Sequence, residues 1–315
     1  MLDDIAVLIP CYNEALTIGK VISDCKKYLP NSKIYVYDNN SDDDSATIAK
    51  DAGAIVHFEK KQGKGNVVRT MLRDVDAKCY VIVDADDTYD LSKINEMCSY
   101  VINDSVDMVV GDRLSSTYYE ENKRAFHNFG NKLVLFMINR FFNSNVRDVM
   151  TGYRCLSHEF AKTFPVISKH FEIETEMTIH AVYHNMNIKN VVINYKDRPA
   201  ESPSKLNTIK DGIMVIKRMI ALYKNYKPFQ FFTFIAIVLS IISTMFFVPV
   251  FFEFINTRLV QKMPTLIVCG FVYAAATLSF FAGVILSTIA EVEKRDYEHK
   301  LILIRMMKEI IINRV

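Results

Sequence analysis

The stretch YVIVDADD, residues 80–87, decides the fold prediction, because an apolar run ends there in three carboxylates within four positions. Such a run is typical of a buried strand, and open α/β sheets bind their ligands at the carboxyl ends of their strands. Clustered carboxylates repel each other, and hard oxygen ligands suit Mg²⁺ or Mn²⁺. We therefore predict a divalent cation beside Asp84 and Asp86, with a phosphate-bearing substrate. The alternative is that Asp86 or Asp87 only caps the next helix.

Strand and helix patterns alternate on both sides of this stretch. Strand patterns cover residues 5–9, 34–38, 54–58, 79–83 and 108–111, and helix patterns cover 17–29, 45–52, 67–74 and 92–102. This alternation predicts a parallel sheet covered by helices, as in nucleotide-binding domains. Polar residues follow the first strand (10–14) and the second (38–41), so we expect them at the same sheet edge as the acids. Further on, helices are predicted at 126–142 and 174–184 and a strand at 191–195.

Two long uncharged stretches, residues 231–252 and 264–290, indicate membrane helices. At 1.5 Å per residue each is long enough to cross roughly 30 Å of hydrocarbon. The short connector, residues 253–263, makes them a hairpin. Helices buried in a soluble core are the alternative reading, but two such stretches in succession are rare there. With 315 residues and 50% hydrophobic composition, the chain also has room for a separate globular part.

The distribution of basic residues predicts the orientation of this hairpin. Basic residues precede the first stretch and follow the second: Lys217, Arg218, Lys224, Lys227, Lys294, Arg295 and Lys300. The connector has only Arg258 and Lys262. By the positive-inside rule, we expect a multi-pass protein of the cell membrane with its catalytic domain and both termini in the cytoplasm. The start of the chain also lacks the pattern of a signal peptide.

Residues 208–226 have the apolar spacing of an amphipathic helix. Because the first apolar stretch follows at once, we expect this helix to lie at the membrane surface, with packing on the soluble domain as the alternative. The predicted domains are therefore 1–207 (catalytic), 208–230 (juxtamembrane), 231–290 (membrane hairpin) and 291–315 (cytosolic helix).

Composition argues against several other classes of protein. The six cysteines are scattered without a C-x-x-C pair, which fits a reducing compartment and indicates neither a disulfide framework nor a zinc knuckle. His180 and His184 lack the glutamate of H-E-x-x-H and read as ordinary helix residues. A net charge of +2 gives no reason to expect nucleic acid as a partner.

Seven short motifs together resemble a known family. Four of them look like the GT-A fold of family 2 glycosyltransferases: PCYNE at 10–14, DNNS at 38–41, KQGKG at 61–65 and VDADD at 83–87. Three narrow the resemblance to polyprenyl-phosphate glycosyltransferases of the dolichol-phosphate mannose synthase kind: DVMTGYR at 148–154, FEIETE at 171–176 and SKLN at 204–207. The fold class implied is an α/β, Rossmann-like GT-A domain, followed by an interfacial helix and a two-helix transmembrane hairpin.

The resemblance implies a donor site. It assigns the nucleoside to Pro10, Tyr12, Glu14 and Asp38. It brings Lys64 to the donor phosphates, and Asp84 and Asp86 to the diphosphate and its Mg²⁺ or Mn²⁺. Thr88 stands where the family often has a glutamine that reaches the metal, and is the third metal candidate.

A lipid phosphate acceptor is already anionic at neutral pH, so it needs cations that hold it rather than a strong base. The candidates for this clamp are Arg113, Arg124, Arg154 and Lys205. Asp148 is expected to position the acceptor or an arginine, and Asp86, Asp148 and Arg154 are the predicted catalytic residues. Glu172 and Glu174 are candidates for orienting Arg154 or Lys205.

The resulting hypothesis is an inverting transfer of one sugar from a nucleotide sugar to a polyprenyl phosphate, giving a donor for cell-envelope glycans. A UDP-hexose is favoured over GDP-mannose, undecaprenyl and dolichyl acceptors stay open, and a homotetramer is expected by analogy. A Mg²⁺-dependent phosphatase with a D-x-D-x-T loop at 84–88 and a non-catalytic nucleotide-sugar-binding subunit are the rival readings. A processive synthase is disfavoured because the chain has no tryptophan for a Q-x-x-R-W motif.

Overall fold

The computed structural model describes residues 3–116, 125–142, 144–198 and 208–313. The strands are β1 (Asp3–Cys11), β2 (Lys33–Asp38), β3 (Ile55–Phe58), β4 (Ala77–Ile82), β5 (Met108–Asp112), β6 (Arg154–Ser157) and β7 (Ile188–Val192). The helices are α1 (Ile18–Tyr28), α2 (Ser45–Asp51), α3 (Lys64–Asp74), α4 (Ile94–Ile102), α5 (Ala125–Phe142), α6 (His158–Thr163), α7 (Ile173–Tyr183), α8 (Thr208–Tyr226), α9 (Pro228–Thr257) and α10 (Met263–Asn313), with a 3₁₀ turn at Leu91–Lys93.

In the described residues the strands form one seven-stranded sheet in the order β3-β2-β1-β4-β6-β5-β7. The strands from β3 to β4 are parallel, as the alternating pattern predicts, and β7 is parallel to β5. However, β6 is antiparallel to both β4 and β5, so the sheet is mixed rather than wholly parallel. The α/β fold class is confirmed. The pattern missed β6 because four residues, RCLS, are too few to show a period.

The strand predicted at 191–195 lies three residues earlier, at Ile188–Val192. Lys189 and Asn190 stand near the start of β7, an edge strand, so no apolar run marks where it begins. The predicted helix at 208–226 is confirmed at its bounds. The helix predicted at 67–74 starts earlier, at Lys64, because the turn before it enters the helix directly.

Alternation along the central strands gives the sheet a core on each face. On one face Val7 and Ile9 of β1 pack with Val81 of β4, together with the apolar sides of α1 and α4. On the other face Leu8 and Ile82 pack with α3 and α6. Because successive strand residues point to opposite faces, an unbroken apolar strand is what a doubly covered sheet requires.

Three cysteines meet in the first of these cores. The sulfur atoms of Cys79, Cys98 and Cys155 lie within 4.8 Å of one another, and all three residues are buried. They come from β4, α4 and β6, so their spacing along the chain gave no sign of this grouping. All six cysteines are free thiols.

The chain divides into two compact units, Met1–Met219 with His299–Val315 and Ile220–Glu298. In the first unit, Lys308 of α10 pairs with Glu159 of α6 at 2.9 Å, which joins the chain's last helix to the sheet domain. This division falls within α8 and α10, whereas the predicted boundaries lie at 207, 230 and 290. Those domain boundaries stay a prediction.

The second unit contains the predicted hairpin. By length and composition, α9 and the part of α10 up to Ile310 could each cross a membrane, and only 17% of each apolar window is buried. The Ser243 hydroxyl donates to the carbonyl of Cys269 at 2.9 Å, and that of Ser279 donates to the carbonyl of Phe232 at 3.1 Å. The earlier residue of α9 bonds to the later residue of α10, so the two helices are antiparallel. Side chains this exposed do not suit two helices buried in a soluble core.

Candidate active site

The site lies where four strands end. Asp38 ends β2 opposite Cys11 of β1, and the acid loop, residues 84–87, follows β4. In β5 the last residue is Asp112, and Arg113 comes next. Since β1, β2, β4 and β5 all deliver these residues at their carboxyl ends, the polar residues predicted from separate motifs share one sheet edge.

Asp38 is suited to receive a ligand. One carboxylate oxygen accepts from the amide of Ser41 at 3.2 Å, while Oδ1 is buried and has no hydrogen-bond partner in the described part of the chain. Buried acceptors are rarely left without a donor, so this oxygen fits a hydroxyl or N–H of a bound nucleoside. Tyr12 exposes 37% of its surface, which leaves part of its ring for contact. Pro10, inside β1 opposite Tyr37, is half-buried.

The turn before α3 is built against this edge. The side chain of Asn39 accepts from the amide of Gly63 at 2.7 Å and donates to the carbonyls of Glu59 and Lys61. Gly63 has φ 123°, and a Cβ there would lie 2.2 Å from the carbonyl oxygen of Lys169. Glycine is therefore required at position 63, and the tight turn aims Lys64 into the site.

Lys64 forms an inner network with Asp84, Glu174 and Tyr89. Its ammonium lies 2.5 Å from Asp84 Oδ1 and 2.6 Å from Glu174 Oε1. Burial opposes the lysine charge, but the two carboxylates outweigh it and raise the pKa of Lys64 above its ordinary value. Lys64 is thus a fixed cation at neutral pH. Glu174 pairs with Lys64 rather than with Arg154, and its other predicted partner, Lys205, lies outside the described residues.

Asp84 is held from two sides and exposes 21% of its side chain. Its second oxygen accepts from the hydroxyl of Tyr89 at 3.1 Å, and the same hydroxyl accepts from the amide of Gly152 at 3.0 Å. A Cβ at Gly152 would lie 2.3 Å from Asp84 Oδ2, so the backbone closes over the carboxylate. Burial raises the pKa of Asp84, but the charge and hydrogen bond of Lys64 outweigh this and lower it below its ordinary value.

Asp86 and Glu14 form an outer acid pair around Arg198. Arg198 donates through Nη2 to Asp86 Oδ2 at 2.5 Å and through Nη1 to Glu14 Oε1 at 3.1 Å. The other oxygen of Asp86 accepts from the hydroxyl of Thr88 at 2.7 Å. Burial and the negative charge of Asp84 raise the pKa of Asp86, in spite of Arg198. The hydroxyl of Thr88 is bonded to Asp86 in this structure. Its contact with a metal ion stays a prediction.

Asp87 is separate from both groups. It lies between two lysines, Lys20 at 2.8 Å and Lys196 at 2.7 Å. Each acid of the loop thus has its own basic partner: Asp84 has Lys64, Asp86 has Arg198 and Asp87 has Lys20 and Lys196. The repulsion within the cluster, from which a divalent cation was predicted, is thus offset by four basic residues that the local sequence does not show.

The donor set nevertheless fits a hard divalent cation. Glu14 and Asp86 belong to different strand ends, yet their carboxylates converge on one positive charge, the guanidinium of Arg198. Carboxylate oxygens are the ligands that Mg²⁺ and Mn²⁺ take. Arg198 was not among the predicted site residues. Its position shortly after a predicted strand was the one feature of the sequence that indicated a place in the site.

Arg113 and Asp148 form a buried ion pair. Nε and Nη2 of Arg113 donate to the two carboxylate oxygens at 2.8 and 3.2 Å, and its backbone amide donates at 3.3 Å. The guanidinium also lies over the ring of Tyr195, 5.8 Å from its centre. This geometry favours the version of the prediction in which Asp148 positions an arginine.

Arg154 differs from its predicted place in the acceptor clamp. It has no exposed surface, and it donates to the carbonyls of Val149 at 2.7 Å and Thr151 at 3.1 Å and to the hydroxyl of Thr178 at 2.9 Å. Burial lowers the pKa of Arg154 to about 10. In this structure Arg154 fastens the loop before β6 to α7 instead of reaching a ligand. Arg124 and Lys205 lie outside the described residues.

Comparison with known families matches residues 6–164 to the model of glycosyl transferase family 2. The chain belongs to this family. It is therefore a glycosyltransferase, and the predicted family, fold and enzyme class are confirmed. The phosphatase reading also fails on position, because Asp84 follows the fourth strand of the sheet rather than its first.

Curated relatives agree with this family. The chain is similar to protein RfbJ of Shigella flexneri, with 56% identity over 35% of this chain and 85% of RfbJ. It is 31% identical to glycosyltransferase AglJ of Haloferax volcanii over 73% of this chain and 75% of AglJ. A protein of the same organism named dolichyl-phosphate hexose transferase is 28% identical over 69% of this chain and 93% of its own length.

Among solved structures, the fold is similar to glucosyl-3-phosphoglycerate synthase from Mycobacterium tuberculosis, crystallised with Mn²⁺, UDP-glucose and phosphoglyceric acid. The TM-score is 0.56, with 17% sequence identity over 70% of this chain and 80% of that one. At this identity the comparison supports the fold alone.

Proposed function

We propose that this glycosyltransferase moves one sugar from a nucleotide-diphosphate sugar to a polyprenyl phosphate, with inversion at the anomeric carbon. The observation that carries the proposal is the occurrence, in one chain, of a phosphate-suited inner network and two largely exposed apolar helices. The first suits a charged donor, and the second suits an acceptor that is part of a membrane. The similarity to a dolichyl-phosphate hexose transferase supports the same acceptor class.

On the donor side, Asp38 would accept a hydrogen bond from the nucleoside through Oδ1, with Tyr12 and Pro10 beside it. Lys64 would hold the diphosphate, because it stays charged and its position is fixed by two carboxylates. A preorganised cation next to the departing diphosphate stabilises negative charge as that charge develops. Because Lys64 is shared between two carboxylates, the divalent cation would supply the rest of the neutralisation that the diphosphate requires.

A divalent cation would be held by Asp86, with Glu14, Asp84 and Thr88 as further candidates. When bound, Mg²⁺ or Mn²⁺ supplies neutralisation of the diphosphate leaving group. The convergence of Glu14 and Asp86 on one positive charge supports this assignment. The solved structure of similar fold, glucosyl-3-phosphoglycerate synthase, was crystallised with Mn²⁺, which agrees with this proposal.

On the acceptor side, an ionised lipid phosphate would attack the anomeric carbon as the bond to the nucleoside diphosphate breaks. No group has to remove a proton, so the protein has only to hold the phosphate in line. Arg113 is the candidate that the described residues support, because Asp148 fixes its fork-shaped guanidinium near the end of β5. Arg124 and Lys205 remain candidates from sequence.

The membrane part of the proposal follows from exposed apolar surface. In α8, Ile213 and Ile220 expose 49% and 45% of their surface, which suits a helix lying at a lipid interface. We propose a multi-pass protein of the cell membrane with its catalytic domain and termini in the cytoplasm, and a homotetramer. Light scattering of the detergent-solubilised protein tests the tetramer, and protease accessibility in sealed vesicles tests the orientation.

The experiment is a transfer assay with the full chain in detergent. Labelled UDP-hexoses and GDP-mannose are each offered with Mg²⁺ or Mn²⁺ and with undecaprenyl or dolichyl phosphate. We expect label in a lipid product for a UDP-hexose, with GDP-mannose the second candidate, and loss of product with a chelator. Label found only in free sugar, or only in a soluble acceptor such as phosphoglycerate, would overturn the lipid acceptor.

A further inference from the structure

The chain after β7 runs along the acid loop as a short strap, residues 193–198. The amide of Asp90 donates to the carbonyl of Asn194 at 3.2 Å, and the amide of Lys196 donates to the carbonyl of Thr88 at 3.1 Å. Tyr195 forms a bridge with Tyr89 between these bonds. The strap therefore lies against the loop that carries Asp84, Asp86 and Asp87, and its last residue is Arg198.

Arg198 ties the strap to two strand ends at once. Its guanidinium donates to Asp86 at 2.5 Å and to Glu14 at 3.1 Å. The two carboxylates expose only 8% and 7% of their side chains, whereas Arg198 exposes 22%. Two carboxylates this buried would repel each other without a cation between them. The planar fork of arginine suits this bridging place better than the single ammonium of lysine.

The position of Arg198 competes with that of a divalent ion. One oxygen of Asp86 is engaged by the hydroxyl of Thr88, so Oδ2 is the oxygen that faces Arg198. Mg²⁺ binds carboxylate oxygen at about 2.0 to 2.1 Å. A doubly charged ion on Oδ2 would stand within a few ångströms of the guanidinium, and like charges at that distance repel strongly in a buried site.

We propose that Arg198 is the resident cation of the outer acid pair, that a divalent ion exchanges with it, and that this exchange releases the end of the strap from the acid loop. The inference rests on the metal dependence of the proposed function and adds to it a loading step. In the resting protein Arg198 neutralises Glu14 and Asp86. The ion takes over that neutralisation, and Arg198 leaves with the strap.

The first test measures the affinity of the full chain for Mn²⁺ alone, by calorimetry or electron paramagnetic resonance, without nucleotide. Arg198→Gln removes the competitor, and we expect Kd for Mn²⁺ to fall at least tenfold. Lys196→Gln is the matched control: it removes one positive charge from the same strap, but from a side chain that contacts Asp87. We expect less than a twofold change there. Equal tightening in both variants would show a general charge effect and overturn the exchange.

A second variant separates exchange from misfolding. Arg198→Lys keeps the charge but loses the fork that joins Glu14 to Asp86, so we expect an affinity between those of the wild type and Arg198→Gln. Thermal unfolding without metal confirms that each variant is folded. If Arg198→Gln does not fold, an Arg198→Lys affinity equal to or weaker than that of the wild type overturns the proposal.

The third measurement follows the strap by hydrogen exchange in the wild type. Adding Mn²⁺ should speed exchange at the amide of Lys196, which is bonded to Thr88 in the resting structure. Slower or unchanged exchange with bound Mn²⁺ would overturn release of the strap.

The outcomes also separate this inference from the proposed function. If Mn²⁺ binds the wild type through Asp86 but Arg198→Gln leaves Kd unchanged or higher, only the exchange fails. If no variant binds Mn²⁺ even with UDP present, the metal dependence fails and the exchange fails with it.

Discussion

In the inner network Lys64 lies between two carboxylates, and in the outer acid pair Arg198 does. The two positively charged side chains differ in how the fold holds them. Lys64 begins a helix, follows a glycine turn packed on the backbone and exposes 11% of its side chain. Arg198 ends a strap outside the regular elements and exposes 22%. The site therefore contains one cation fixed at the start of a helix, Lys64, and a more exposed one on an irregular strap, Arg198. The pKa of Asp84 is lowered because Lys64 outweighs burial, whereas burial and the charge of Asp84 raise the pKa of Asp86 in spite of Arg198.

The sharpest test of this difference is Asp86→Asn, which keeps the shape and removes the charge. We expect transfer to fall roughly 10³-fold, about 4 kcal/mol of transition-state stabilisation, because the divalent ion loses its main ligand. Turnover with saturating UDP-hexose and lipid phosphate is the measurement. Asp87→Asn is the matched control from the same loop and should stay within tenfold of the wild type. An Asp86→Asn enzyme as active as that control would remove Asp86 from the metal site.

Arg154 joins the loop before β6 to α7, the helix that carries Glu174 of the inner network. Arg154→Met tests this structural role. The change leaves the carbonyls of Val149 and Thr151 without their donor, and we expect a loss of roughly 3 kcal/mol of unfolding free energy. That corresponds to a fall in Tm of roughly 6 to 12 °C. Arg147→Met, at an exposed position of the same loop, should change Tm by less than 2 °C or so. If the variant has the Tm of the wild type and a raised KM for the lipid phosphate, Arg154 binds the acceptor as the sequence predicts.

Within the inner network, Tyr89→Phe deletes the hydroxyl that joins Asp84 to Gly152. We expect kcat/KM for the nucleotide sugar to fall roughly tenfold, about 1.4 kcal/mol, because Asp84 loses one of its two fixed contacts. Tyr100→Phe removes a hydroxyl bonded to Glu96 and is the control. Lower stability with unchanged kcat/KM would make Tyr89 a packing residue only.

The smallest effect concerns the scaffold behind the site. Burial lowers the pKa of His180 from 6.5 to about 3, so the folded state resists a proton that the unfolded chain accepts. Its contribution to stability is complete above pH 6.5 and is lost as pH falls from 6.5 toward 3. We expect His180→Phe to lessen the fall of Tm between pH 7 and pH 4.5 by a few degrees. His299→Phe, at an exposed position, should leave that fall unchanged. Identical slopes for the wild type and His180→Phe would contradict the assignment.

How much was predictable differed along the chain. The strands through β4 follow apolar runs that end in polar motifs, and their bounds agree with the prediction to within two residues or so. Beyond β5 the helices α5, α7 and α8 also agree with the prediction, whereas the short elements β6 and α6 were missed and β7 was shifted. The four-residue strand β6 is stabilised by the strands on both sides of it. Its own sequence is too short to show the alternation that predicts a strand.

The site shows the same limit at the level of single residues. Asp38, Lys64, Asp84 and Asp86 were predicted because each follows a strand or opens a helix in a recognisable motif. Arg154 and Arg198 have the same side chain, and nothing in the sequence predicts different surroundings for them. In the structure Arg154 donates to backbone carbonyls, whereas Arg198 bridges two carboxylates. Only burial and partners distinguish them, and both depend on residues far away in the chain.

The sequence by itself determined the α/β class, the order of the donor motifs and the apolar hairpin, because periodicity and local composition carry that information. The tertiary structure alone decided which base neutralises which acid, where the antiparallel strand enters the sheet and which arginine lies at the surface of the site. Those outcomes follow from contacts between elements many residues apart, whose energies no local stretch of sequence contains.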